Sequence, residues 1–323
     1  MSAIDRRRFI GAVTAAGMGA ASLRASVGPV AAQDGPRPSR VVRVRRADCV
    51  DDSDRVDAGI VKAMVDESVA RLTAKANATE AWKSLFRPAD VVTVKLNCLF
   101  GPGACTHREV TEAVVAGLLA AGVLADNITV WDRQTGDLLK CGYELNDGPG
   151  VKYAATGWDG AKTQSGSFNG RLATVLSNSD VTAVVNVPVL KTHSISGMTL
   201  AHKNHYGSFD NPGEHHANNC DPHLTDLNAL PCIRDKTRLI VADALRPVGE
   251  GGPSAQPQYT WTYGGILAAT DPVAIDSIGV EILDEWRAAQ GLPPIRPVAR
   301  FLQTSAAAGL GVADPAQIEL VEV

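Results

Sequence analysis

The chain has 323 residues with 35 acidic against 31 basic side chains, a formal net charge of −4 at pH 7. An acidic chain without a basic tract is poorly suited to nucleic acid, whose binding rests on Lys and Arg contacts with phosphate. Its length and 45% hydrophobic content suffice for a large buried core, as one domain or two closely joined ones.

Residues 1–32 read as an export signal. Arg6-Arg7-Arg8-Phe9-Ile10 is a basic segment, Gly11 to Ser22 a small apolar one, and Val30-Ala31-Ala32 a small-residue cleavage pattern. Paired arginines, then one residue and Phe-Ile, resemble a twin-arginine signal, whose machinery exports folded proteins. An ordinary secretory signal with an extra arginine is the alternative. The apolar segment is too short and too rich in Ala and Gly for a membrane span, and no later run reaches its length. The mature chain is therefore expected to carry no transmembrane segment and to work in the periplasm or outside the cell. Cleavage after Ala32 leaves it more acidic still.

Residues 33–40 read as a mobile terminus, and Val41 to Val44 as a first strand. Val61, Met64, Val65, Ser68 and Leu72 recur at helical spacing over Asp57 to Leu72. A second helix is expected over Thr79 to Phe86, before Pro88. Val91 to Leu96 is apolar enough for a central strand. After the loop Asn97 to Cys105, Thr106 and Glu109 form a capping box, and Val110, Ala113, Val114, Gly117, Leu118 and Ala121 make a helical stripe. Gly122 suits the helix end, and Ile128 to Asp132 is the next strand.

That βαβ unit predicts an α/β fold with a mainly parallel sheet and helices on both faces. Residues 133–173 are polar, rich in glycine and without a sustained period, so they read as an excursion or a small hairpin over the sheet edge, outside the central strands. A strand at 182–189 returns the chain to the sheet. Further strands are expected at Thr237 to Asp243, Gly264 to Ala269 and Ile318 to Val321, and helices from Asp271-Pro272 and near 298–308. Residues 33–323 then read as a single domain.

Six of the seven histidines lie in one stretch: His193, His202, His205, His215, His216 and His223. Histidine is the side chain most often used for proton transfer and metal ligation near neutral pH. His202 and His205 are three apart, so a helix would turn both to one side, where His215 and His216 can complete a divalent-metal site. No C-x-x-C pair occurs among Cys49, Cys98, Cys105, Cys141, Cys220 and Cys232, which argues against a ferredoxin-type cluster or zinc ribbon. Cys98 with Cys105 and Cys220 with Cys232 are the nearest candidate disulfides, and buried free thiols are the alternative.

Four motifs occur in order: Lys95-Leu96-Asn97, Asn186 to His193, Lys203 to Gly207, and Asp271 to Asp276. Together they resemble the family called domain of unknown function 362, over about residues 90–285. The resemblance implies no established reaction. Some members carry an attached iron–sulfur ferredoxin module, whose cysteine spacing this chain lacks.

Ligands of open α/β sheets bind beyond the carboxyl ends of the strands. Lys95, Asn97, Asp132, Lys191, His193, Asp243 and Asp271 all follow expected strands. Lys95, Asn97, Lys191, His193, Lys203 and Asn204 are therefore expected to converge on one pocket for an anion. In this reading the lysines and asparagines hold oxygens, His193 moves a proton, and backbone N–H groups after the 97–105 loop assist. Catalysis is assigned to His193, Lys191 and Lys203, and substrate binding to Lys95, Asn97 and Asn204. The expected function is an exported enzyme for a small anionic substrate or cofactor. A non-catalytic metal- or ligand-binding protein of the cell envelope is the second hypothesis.

Overall fold

The computed structural model describes residues 39–323. The expected export signal and residues 33–38 lie outside the described residues. β1 (Ser39–Arg45) starts inside the segment expected to be mobile, and is followed by α1 (Ala58–Thr73) and α2 (Ala78–Leu85). The predicted βαβ unit is β2 (Val92–Lys95), α3 (Arg108–Ala120) and β3 (Ile128–Asp132). The polar stretch forms α4 (Thr135–Lys140), β4 (Lys152–Ala155) and a hairpin of β5 (Thr163–Ser165) and β6 (Phe168–Gly170).

Next come α5 (Thr174–Ser177), β7 (Ala183–Asn186), β8 (Val189–His193), β9 (Gly197–Thr199) and α6 (Ala201–Asn204). α7 (His223–Asn228), α8 (Pro231–Arg234), β10 (Thr237–Val248) and β11 (Gly265–Ala269) follow. α9 (Pro272–Ala289), α10 (Phe301–Ala307) and β12 (Ile318–Glu322) end the chain.

The main sheet runs β12-β1-β11-β10-β7-β2-β3-β4. From β10 to β4 every neighbouring pair is parallel, whereas β11 is antiparallel to both β10 and β1. This is an α/β fold with a mixed, mostly parallel sheet. β2 is interior and wholly buried, as the largely apolar stretch Val91 to Leu96 predicts. Alternate residues feed two cores. Val42, Val94, Val130, Val185 and Val241 pack with α1, α2 and α3, while Val41, Trp131, Val184, Ile240 and Leu267 pack with α7, α9 and α10. Each such side chain contributes roughly 1.5–3 kcal/mol by leaving water. Close helix approach needs Gly117 on α3, where a Cβ would stand 2.1 Å from the Trp82 ring of α2.

Three local expectations change. The run at 182–189 is two strands, because Pro188 has no N–H and breaks the ladder. Val187 N still donates to Lys95 O (2.8 Å), but Pro188 O accepts from Asp243 N (2.8 Å), and the chain crosses to pair with β10 as β8. The stretch 133–173 stays outside the central strands yet supplies the edge strand β4, parallel to β3. Thr106 does not cap α3. His107 occupies the N-cap without a side-chain cap bond, while Thr106 Oγ1 accepts from Asn97 N (3.0 Å) and donates to Val187 O (2.9 Å).

Candidate functional site

The carboxyl ends of β2, β3 and β8 open on a cavity of about 190 Å³. Lys95, Asn97, Lys191, His193, Lys203 and Asn204 all line it, although they come from two strands, the loop after β2 and a one-turn helix. β8 turns back through β9, with Lys191 opposite Thr199, and this hairpin delivers the chain into α6. Lys203 and Asn204 thereby face the end of β2.

The three lysines are held differently. Lys95 Nζ lies 2.6 Å from Asp132 Oδ1 and also donates to Leu96 O, so its charge is answered within the protein. Its other close neighbour is Gly207, where a Cβ would stand 2.8 Å from Nζ. Lys191 Nζ donates to Asn97 Oδ1 (2.9 Å) and Ala104 O (2.5 Å). No carboxylate pairs with it among the described residues, and burial lowers its pKa to about 8. Lys203 also lacks a carboxylate there; its Nζ meets His216 Nε2 at 3.1 Å and sits 3.3 Å from the Tyr206 ring centroid. Burial brings its pKa to about 7.

A ladder of amides spaces these groups. Asn97 Nδ2 donates to Asn204 Oδ1 (3.0 Å), and Asn204 Nδ2 to Asn186 Oδ1 (2.7 Å). Asn186 Nδ2 continues to Ala201 O (2.9 Å). Each amide orientation is set by the next, which fixes the direction in which Asn97 presents its oxygen to Lys191.

The two cavity imidazoles have different partners. His193 Nδ1 accepts from Ile195 N (3.1 Å) and Ser196 N (3.4 Å), which leaves Nε2 carrying the proton. Burial, then the charges of Lys203 and His216, holds its pKa at about 3. His216 Nε2 lies 3.1 Å from Lys203 Nζ. The rings stack with centroids 5.7 Å apart. His193 is thus a fixed N–H donor rather than the group that titrates near neutrality; Lys203 and Lys191 take that place.

The expected metal ligands do not meet. His202 turns to Asp276 (2.9 Å), His205 to Ser208 (3.0 Å) and Asn186 (3.4 Å), and His215 packs between Phe168 and Phe209. Only His216 of the four lines the cavity. α6 ends at Asn204 and a tighter turn follows, so the helical spacing assumed for His202 and His205 is lost. Among the described residues no three His, Cys, Asp or Glu side chains are placed to hold a metal ion.

Other polar residues after the strands are structural. Asp243 accepts from His107 N (2.8 Å) and Nδ1 (2.7 Å), which occupies the start of α3 expected for an anion. Burial opposes the charge on His107, but Asp243 outweighs it and raises the pKa to about 9. Asp271 caps α9 through Val273 N and Ala274 N. All six cysteines are free, and Cys141 Sγ donates to Cys98 O (3.4 Å).

Among the lining residues that the sequence reading missed are Phe100, Arg133, Thr199 and Tyr206. Arg133 follows β3 and Tyr206 follows Lys203-Asn204-His205, so position was a usable signal for both. Thr199 gave none, since its placement depends on the unforeseen hairpin. Its Oγ1 and the Arg133 Nε are buried without a hydrogen-bond partner. Buried polar atoms normally have one, so both retain a free hydrogen-bonding position.

The fold is of the α/β class, with a cationic cavity beyond the carboxyl ends of its strands, where open sheets of this kind place their ligands. Residues 92–281 match the family described as a domain of unknown function, DUF362, and the chain belongs to that family. No curated protein matches it. Among solved structures it is similar to a structural-genomics crystal structure of a protein from Thermotoga maritima, at 11% identity and a TM-score of 0.36. That likeness covers 78% of this chain and 59% of the other.

Proposed function

We propose that the chain is an exported enzyme that binds a small anionic substrate or cofactor in this cavity and transfers a proton there. One observation carries the reading: Lys191 and Lys203, two buried amines without a carboxylate partner among the described residues, meet in one cavity. An unpaired buried amine is costly unless a ligand answers it.

Lys191, with its pKa at about 8, keeps most of its charge at neutrality. Two of its three protons go to Asn97 and Ala104, and the third is left for an anion. His193 Nε2–H and Thr199 Oγ1 add uncharged contacts from the β8–β9 hairpin. Lys203, at about 7, is present both as amine and as ammonium, which suits a general acid–base group. His216 Nε2 accepts its proton on the far side. In this proposal Lys95 acts indirectly, because Asp132 already holds it.

The test is two-part. Phosphate, acetate or lactate should raise the melting temperature more than sodium chloride of equal ionic strength, and Lys191→Met should abolish the difference. Deuterium uptake at the α-carbon of lactate, followed by NMR in heavy water, then reads proton transfer. Lys203→Met should bind but exchange ~100-fold more slowly. Anion binding with no exchange by the wild-type chain would instead support a binding protein of the cell envelope.

A further inference from the structure

We infer that Lys203 is the amine of an imine-forming site, and that the substrate is a small oxo acid: an aldehyde or ketone carrying a carboxylate. The inference rests on the anion-site reading above and adds the carbonyl chemistry.

Lys203 differs from the other cavity lysines in what meets its nitrogen. Lys95 meets a carboxylate, and Lys191 meets a carbonyl and an amide oxygen. These partners favour an ammonium ion. Lys203 meets an imidazole nitrogen and an aromatic face, and among the described residues no oxygen within hydrogen-bonding distance. The residue is 94% removed from solvent, being 6% exposed, yet it lines the cavity. The ring face of Tyr206 attracts the cation, but burial prevails and the neutral amine is reached near pH 7. A desolvated neutral lysine is a nucleophile. Carbonyl carbon is the electrophile that condenses with such an amine reversibly in water.

The remaining groups select the rest of the substrate. Lys191, the His193 Nε2–H and the unpartnered Thr199 hydroxyl are all donors. They suit a carboxylate beside the carbonyl, not a hydrocarbon tail. The cavity, about 190 Å³, fits a compact molecule.

The step balances without an outside oxidant or reductant. The Lys203 Nζ lone pair bonds to the carbonyl carbon while the C=O π pair moves to oxygen. Nitrogen sheds a proton to His216 Nε2, and the oxygen takes one from the Lys191 ammonium. His216 then returns its proton to the new hydroxyl group, which leaves as water while the nitrogen pair closes the C=N bond. The imine carries the positive charge that Lys191 gave up.

The experiment is reductive trapping. The protein is incubated with glyoxylate or pyruvate and sodium cyanoborohydride, then analysed by intact mass and peptide mapping. The expected product is one reduced adduct per chain, on Lys203, suppressed by excess lactate and absent in Lys203→Met and Lys203→Arg. Circular dichroism verifies that both variants are folded; the arginine keeps a charge but cannot form the imine. An adduct of equal yield in either folded variant, or one spread over surface lysines, overturns the inference. No adduct, while lactate still stabilises the protein, overturns the imine alone. No adduct and no stabilisation by any anion also removes the anion-site reading.

Discussion

Asp276 Oδ2 lies 2.9 Å from His202 Nδ1, in a pair wholly closed to solvent. The same carboxylate accepts from Ala201 N (2.6 Å) and His202 N (3.1 Å). It therefore ties α9 to the first turn of α6, directly before Lys203 and Asn204. Asp276→Ala leaves two N–H groups and a histidine unanswered in the core. We expect a loss of about 3–5 kcal/mol, as for one half of a buried pair. Urea unfolding checks it, and a loss below ~1 kcal/mol would contradict this role.

Lys203 makes stability depend on pH in a defined direction. Its pKa falls from 10.5 in the unfolded chain to about 7 in the folded one. Below pH 7 the folded chain must hold the buried ammonium, so the penalty is complete. Between 7 and 10.5 the unfolded chain binds more protons, and stability rises with pH. Lys203→Met should thus be stabilised relative to wild type at pH 6, on the order of a few kcal/mol. The advantage should shrink steadily toward pH 10. Melting curves of both proteins across this range decide it, and a constant difference would refute the shifted pKa.

Export is testable apart from the site. Replacing Arg6 and Arg7 by lysine should hold the precursor in the cytoplasm, seen by cell fractionation, and mass spectrometry should place the mature N-terminus near Gln33. Efficient export of the double variant would favour the ordinary secretory route.

Much of the sheet was legible because its strands are short apolar runs ended by polar residues. β2 and β3 are such runs, and so is β11. Asp57 and Asp271, before periodic apolar residues, marked two helix starts, and both cap them. β4 was hidden because Lys152 to Ala155 is only half buried and shows no alternation. The six lining residues could be named because strand ends and motifs coincide there. Their roles could not. That His193 carries its proton on Nε2 follows from the backbone N–H groups of Ile195 and Ser196, which reach Nδ1 only because the hairpin turns tightly. The histidine cluster misled for a related reason: proximity in sequence does not determine ring direction.

β1 waits for partners made near the end of the chain. Val41 pairs with Ala269 on one side and Leu320 on the other, and Arg40 and Arg43 form ion pairs with Glu319 and Glu322. During synthesis its two edges must stay open until β11 and β12 have left the ribosome. Such distant pairings slow folding and expose strand edges meanwhile. A chain that stops before β12 has no partner for the outer edge of β1. Completion of the sheet is therefore delayed until β12 has been made and has reached β1.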